Sequence, residues 1–240
     1  MPILCSALCD HDTARARMSI GKRRDGAEGN RRGQSEERVT KENKEIRLLF
    51  PTVVQESFID DAAEVNRALL KAIDDIKAET PNGLPSSWSC TLYTTIESQN
   101  TLHLLAPFQQ LADYITGKAN DFAKTLKVRL DDYPLEMRSM WVNVYGKGHS
   151  QEIHNHANSI FSGVYYVKAP PGSPGLLIHG PMADTMVHMP VTEETLLNST
   201  MGEISAEEGK LVMFRSWLKH SVKPSPIDED RISIAVNFSC

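Results

Sequence analysis

The stretch Ser139–Val167, SMWVNVYGKGHSQEIHNHANSIFSGVYYV, constrains this chain more than any other. Two runs rich in β-branched and aromatic residues, SMWVNVY and FSGVYYV, flank a polar segment that carries His154 and His156. Strand side chains alternate faces, so residues two apart point the same way. An extended QEIHNHA therefore projects Glu152, His154 and His156 from one face, and two imidazoles on one face are half of a metal site. The other half has to come from elsewhere in the chain. His220, in FRSWLKHSV, is the best-placed candidate, and the strand-like RISIAVNF that follows opens with Arg231, which shares a face with Ser233.

The remaining pattern supplies a frame for this stretch. IRLLFPTVVQESF begins the folded region near Ile46 as a short apolar strand broken by Pro51. Asp60 or Asp61 caps a helix that runs to about Ala78, with Val65, Leu69, Ala72, Ile73 and Ile76 at helical spacing. WSCTLYTTI, Trp88 to Ile96, has the composition of a strand. A second helix runs from about Pro107 to Lys127 on a stripe that includes Phe108, Leu111, Ile115, Phe122 and Leu126. Both stripes read as packing surface against a sheet. After Asp131 and Pro134 the chain turns to short strands: 138–145, 151–157, 161–168, 176–179, 210–214, 221–223 and 231–238. Gly and Pro punctuate them, which indicates a sandwich or barrel. The polar stretch from Gly180 to about Glu208 reads as a long loop over a site mouth.

Length and charge bound the rest. A chain of 240 residues suits one folded domain, here 46–240, with a tail to spare. The tail, residues 1–44, is rich in Arg, Lys and Gly and has almost no large apolar side chains after Ile20. It reads as disordered, because it cannot bury enough surface to offset its ordering entropy. An organelle-targeting peptide is the rival reading, but Asp10, Asp12, Asp25, Glu28, Glu36 and Glu37 weigh against it. The net charge of -5 implies no nucleic-acid partner. No apolar run is long enough to span a membrane, and Cys5, Cys9, Cys90 and Cys240 lack both metal-ligand spacing and a disulfide pattern. The expectation is a cytoplasmic protein.

The chemistry accounts for the spacing of the singled-out residues. A non-haem Fe(II) site needs a few ligands on one side of the metal, with adjacent positions left open. Two ligands on one strand and one on a distant strand give that arrangement. A keto acid bound to such a metal carries a far carboxylate, which suits a permanently charged, two-pronged partner such as Arg231 with the Ser233 hydroxyl beside it. Asn143 and Tyr145 share a strand face with Trp141 and are candidates to line the pocket. His11, His103, His149, His179 and His188 read as structural, although His149, His179 and His188 lie close enough in sequence to stand behind a ligand.

LFPT, WVNVYGKG, HNHANSIFSGVYYV, GKLVMFRSWLKHSV and RISIAVNF occur in an order that resembles the 2-oxoglutarate/Fe(II)-dependent oxygenase family of bacteria and phages, of the prolyl-4-hydroxylase-like type. The resemblance runs from about Leu48 to the C-terminus. It implies a mainly β fold, a double-stranded β-helix (jelly roll) with two supporting α-helices, α+β overall. It further implies iron at the histidines and 2-oxoglutarate on Arg231 and Ser233. The implied reaction consumes O2, oxidises a small-molecule or peptidyl substrate, and releases succinate and CO2. The chain departs from the family's usual H-x-D or H-x-E pattern, with His156 where the carboxylate stands. His156 as a third ligand, water, or Glu152 from the same face are the three ways to complete the set. A three-histidine set also resembles cupin dioxygenases, which need no 2-oxoglutarate, and a non-catalytic β-helix binding module is the rival outside catalysis. Arg231 with Ser233 favours the 2-oxoglutarate enzyme.

The tail reading is directly testable. Deleting residues 1–44 is expected to leave folding and metal binding intact. A truncated chain that aggregates or melts markedly earlier would assign that segment to the fold.

Overall fold

Alternation along four central strands divides the molecule into a helix-backed face and an interior. The computed structural model describes residues 46–47, 49–181 and 190–240. The tail, with His11, and His188 in the Gly180–Glu208 stretch lie outside the described residues. Thr52–Cys240 form one compact unit; of the other unit, Met1–Pro51, only the last few residues are described.

In chain order the elements are β1 (Val54–Phe58), α1 (Ala62–Glu79), β2 (Tyr93–Thr94), α2 (Gln109–Thr125), β3 (Glu136–Tyr145), β4 (Gln151–His154) and β5 (Phe161–Lys168). There follow β6 (Leu176–His179), β7 (Met201–Ile204), β8 (Lys210–Arg215), β9 (His220–Val222) and β10 (Arg231–Ser239). One sheet has the order β1-β8-β5-β10-β3-β2 and the other β4-β9-β6-β7. All the strand pairings are antiparallel. From β3 onward the eight strands alternate between the sheets, save for the β6–β7 pair within the smaller one, in the manner of a jelly roll.

On β3, Met140, Val142 and Val144 pack toward the helices, as do Ile232, Ile234, Val236 and Phe238 on β10 and Leu211 and Met213 on β8. They join Leu69 and Ile73 of α1 and Leu111, Ile115, Ala119 and Phe122 of α2 in the main core. The intervening residues Trp141, Asn143, Tyr145, Arg231, Ser233 and Ala235 turn to the inside of the roll. Burial on both faces is why these strands read as near-continuous apolar runs. A second cluster, including Tyr166, Leu176, Ile178, Val212, Phe214 and Leu218, fills the space between the sheets.

The two helices form where periodicity predicts them, but the first one starts differently. Asp61 occupies the N-cap with φ 53° and makes no side-chain cap hydrogen bond; the backbone N–H groups of Glu64 and Val65 instead donate to its carbonyl. WSCTLYTTI is a strand only over Tyr93–Thr94. Its apolar content comes from packing, since Cys90 and Leu92 join Tyr145 and Val222 in a small cluster. Within the stretch read as a loop, Met201–Ile204 form β7 at the edge of the smaller sheet. Its sequence, MGEI, is largely exposed and carries no alternating apolar signal. Among the described residues no helix is long and apolar enough to cross a membrane.

Tyr165, fully buried on β5, donates its hydroxyl proton to Asn66 Oδ1 of α1 at 2.6 Å, tying helix to sheet. Tyr165→Phe leaves that oxygen buried without its donor, so it is expected to destabilise the fold by about 1–3 kcal/mol. Urea unfolding should show a lower midpoint at unchanged slope; an unchanged midpoint would mean that water replaces the phenol there.

Candidate metal and carboxylate site

Strand pairing brings His154 and His220 together. The last residue of β4 and the first of β9 are direct cross-strand partners, and their rings lie 4.2 Å apart between centroids. His156 follows two residues after His154, beyond the end of the strand, where its backbone N–H donates to the Ser216 carbonyl at 3.0 Å. The potential ligand atoms of His154, His156 and His220 all lie within 4.8 Å of one another. Among the described residues this is the one group of three or more His, Cys, Asp or Glu so arranged.

Glu152 does not join them. Between the paired positions Gln151↔Val222 and His154↔His220 the register of β4 shifts, so three steps on β4 match two on β9. A bulge of this kind breaks the alternation that predicts Glu152 beside the histidines. Gln151 and His154 face the pocket, Ile153 is exposed, and the Glu152 carboxylate accepts a hydrogen bond from the Ser89 backbone N–H at 2.8 Å.

Two of the imidazoles are oriented by the backbone. His154 Nδ1 lies 2.8 Å from the Glu152 carbonyl oxygen and His220 Nδ1 lies 2.9 Å from that of Leu218. A carbonyl only accepts, so both rings carry their proton on Nδ1 and present the Nε2 lone pair. His156 Nε2 sits 3.2 Å from His220 Nε2. All three rings are held toward the neutral form. Burial lowers the His154 pKa; burial and then the neighbouring His154 lower that of His156 to about 3; and burial, with His154 and His156 adding to it, lowers His220 well below the ordinary range. Neutral imidazole is the form that binds a metal.

On the other wall of the same pocket β10 and β3 lie in register, with Arg231 opposite Tyr145, Ser233 opposite Asn143 and Ala235 opposite Trp141. All of these residues line one pocket with the three histidines, together with Trp88, Gln151, Val164, Leu176 and Val222. Arg231 is 1% exposed, and no carboxylate among the described residues pairs with it. Its guanidinium lies over the rings of Tyr145 and Tyr166, 4.6 and 4.9 Å from their centroids, and donates weakly to Ser233 Oγ at 3.4 Å. Burial pushes the Tyr145 hydroxyl up to about 12 despite the nearby cation, and Tyr166 is raised for the same reason. Both phenols therefore stay neutral and leave the arginine charge uncancelled. Arg231 Nε, Asn143 Oδ1, Gln151 Nε2 and Trp141 Nε1 are buried without a hydrogen-bond partner. A buried cation ringed by unpaired polar atoms fits a small carboxylate, and three convergent imidazoles fit a divalent transition metal.

The structure brings the sequence-predicted His154, His156, His220, Arg231, Ser233, Asn143 and Tyr145 together in one pocket. Trp88, Gln151, Tyr166 and Asn237 join them without a sequence signal of their own, the last lying 3.4 Å from His156. Only Gln151, next to the H-x-H segment, stood near a signal that could have revealed it. His149 and His179 stand apart: His149 Nδ1 accepts from the Gly146 N–H, and His179 Nε2 meets Ser221 Oγ at 2.8 Å.

A jelly roll with three convergent imidazoles facing a buried arginine is able to hold a divalent metal beside a small acid. Residues 139–237, which contain all seven site residues named above, match the family described as "Putative 2OG-Fe(II) oxygenase". Over that span the chain is similar to 2-oxoglutarate/Fe(II) oxygenases, a class that uses Fe(II), 2-oxoglutarate and O2. No curated protein matches the chain. Among solved structures, a Pseudomonas putida prolyl-4-hydroxylase is similar at 18% identity and TM-score 0.56, over 78% of this chain and 92% of that one. HygX from Streptomyces hygroscopicus, solved with nickel, 2-oxoglutarate and hygromycin B, aligns at 10% identity and TM-score 0.53 over 78% and 83%. A Trichoplax adhaerens prolyl hydroxylase in complex with a hypoxia-inducible-factor peptide aligns at 13% and 0.52 over the same shares. These likenesses establish the fold.

The lowered histidine pKa values carry a pH signature. Unfolded histidines take up protons near 6.5 while the folded ones resist until far lower pH, near 3 for His156. Over that window the unfolded state binds more protons, so metal-free protein should lose stability as pH falls below about 6.5. Denaturant midpoints between pH 7.5 and 5 should show this decline, and His156→Gln should make it shallower. A slope identical in the two proteins would contradict the burial of a neutral His156.

Proposed function

We propose that His154, His156 and His220 hold the Fe(II), and that Arg231 and Ser233 hold the far carboxylate of 2-oxoglutarate, with Asn143 and Tyr145 lining its path. The observation that carries this reading is the buried Arg231 without a carboxylate partner among the described residues, in the same pocket as the convergent imidazoles. When bound, iron and 2-oxoglutarate supply the oxidation: O2 is consumed, the keto acid becomes succinate and CO2, and an oxygen atom or its oxidising power goes to the substrate.

The residues divide the work by charge. Three neutral imidazoles leave the dication uncompensated, and Arg231 adds one positive charge on another wall of the same pocket. The pocket thereby favours a dianion whose two ends match those two cations. Tyr145 and Tyr166 cover the faces of the guanidinium and keep its edge for the carboxylate. Trp88 and Trp141, beside His154 and His156 respectively, wall the metal from bulk water. Glu152, engaged with Ser89, stays outside the ligand set.

Arg231→Ala removes the charge-assisted pair without touching a metal ligand. It should weaken 2-oxoglutarate binding by about 2–5 kcal/mol, which is about 30-fold or more, and leave iron affinity in place. Anaerobic titration of the Fe(II) protein with 2-oxoglutarate, followed by the visible charge-transfer band of the chelate, measures it. Equal affinity in the variant would remove Arg231 from the cosubstrate site.

A further inference from the structure

The third imidazole is held differently from the other two. His154 and His220 donate from Nδ1 to carbonyl oxygens, which can only accept. His156 Nδ1 instead faces Asn237 Nδ2 at 3.4 Å, a group that can only donate. Nδ1 is then the acceptor and the His156 proton sits on Nε2. The 3.2 Å contact between the Nε2 atoms of His156 and His220 agrees, because His220 carries its proton on Nδ1 and one proton is needed between the pair. Behind Asn237, its Oδ1 accepts from Ser162 Oγ at 2.7 Å, and Ser162 Oγ lies 2.8 Å from Ser216 Oγ, with both serines buried. The chain Ser216–Ser162–Asn237–His156–His220 is thus a single directed run of hydrogen bonds.

A metal on Nε2 of His156 needs the opposite direction, with the proton on Nδ1. We propose that Asn237 is a positioning residue for the metal site, and that loading the site turns its side-chain amide over by half a turn. After the turn Oδ1 accepts from His156 Nδ1–H, and Nδ2 donates to Ser162 Oγ. Ser162, whose hydroxyl can donate or accept, then directs its proton to Ser216 Oγ. The contacts from His156 Nδ1 back to Ser216 are kept with their directions reversed, while the His156–His220 hydrogen bond gives way to the metal. The proton leaves His156 Nε2 and one is taken up at Nδ1, so the ring stays neutral and no net proton is exchanged. Asn237 is suited to this because an amide carries a donor and an acceptor in nearly the same shape; the carbonyls behind His154 and His220 cannot change roles.

This inference rests on the three-histidine reading above, and its test separates the two. The experiment uses the full chain with nitrogen-15-labelled histidine and Zn(II) as a diamagnetic probe. In metal-free wild-type protein, long-range nitrogen–proton correlation spectra should show His154 and His220 protonated on Nδ1 and His156 on Nε2. Saturation with Zn(II) should move the His156 proton to Nδ1 and leave the other two tautomers unchanged. Asn237→Asp, whose oxygens only accept, should hold His156 in the metal-ready tautomer before Zn(II) is added and bind it about 10-fold more tightly. Asn237→Leu should bind it about 10–100-fold more weakly. Should the leucine variant fail to fold, the aspartate variant and the wild-type spectra decide. A His156 ring already protonated on Nδ1 in the metal-free wild type would overturn the proposal, as would Asn237 variants that match wild-type Zn(II) affinity. Undiminished Zn(II) affinity in His156→Ala would remove His156 from the ligand set, overturning the three-histidine reading and this inference together.

Discussion

The alternation along β10 is the constraint on which both the core and the site depend. Ile232, Ile234, Val236 and Phe238 are driven against α1 and α2 by their apolar surface, each worth about 1.5–3 kcal/mol when fully buried. That burial forces Arg231, Ser233, Ala235 and Asn237 to the opposite face, inside the roll. A slip of one residue would put the arginine against the helices and the isoleucines in the pocket, so the register is strongly specified. Pairing with β3 on one side and β5 on the other then places Tyr145, Asn143 and Trp141 beside Arg231, Ser233 and Ala235. The hydrophobic effect thus positions the polar wall of the site without acting on any of its polar groups.

A buried guanidinium costs several kcal/mol unless something compensates for it. Among the described residues the compensation is partial: two aromatic faces and one weak hydroxyl contact, with Nε left unpaired. The surrounding core supplies the rest of the stability. Such an arrangement would be a poor choice for a merely structural arginine. It is an effective one for recognising an anion, because desolvated donors gain most from a partner that brings its own charge.

How much of this could be read in the sequence depends on which interactions are local. Both helices were legible, because periodicity over seventeen or eighteen residues sums many weak preferences. β3, β5 and β10 were legible as apolar runs, and the H-x-H segment, His220 and Arg231 stood out through chemistry. β7 was not, because an exposed edge strand such as MGEI has no apolar face to betray it. Trp88–Ile96 misled because its apolar residues cover the pocket instead of pairing in a ladder. Glu152 misled because a bulge is a property of two strands together, and β4 alone gives no sign of the extra residue that β9 imposes. Asn237 was invisible for a similar reason: it is separated from His156 by 81 positions in sequence and meets it only once β10 is laid across the roll.

The bulge also shapes what the histidine-bearing segment presents to the pocket. Regular alternation would have aimed Glu152 and His154 inward together, and a carboxylate within reach of the metal would compete with an anionic cosubstrate for the same coordination positions. With two residues opposing one, Glu152 and Ile153 both leave the interior, and the Glu152 carboxylate is occupied by the Ser89 N–H instead. The same displacement leaves the Glu152 carbonyl directed at His154 Nδ1, fixing the tautomer that exposes Nε2. One irregular step in a short strand therefore removes a competing charge and orients an imidazole, and among the described residues the pocket that results is lined by imidazoles and the arginine, with no carboxylate between them.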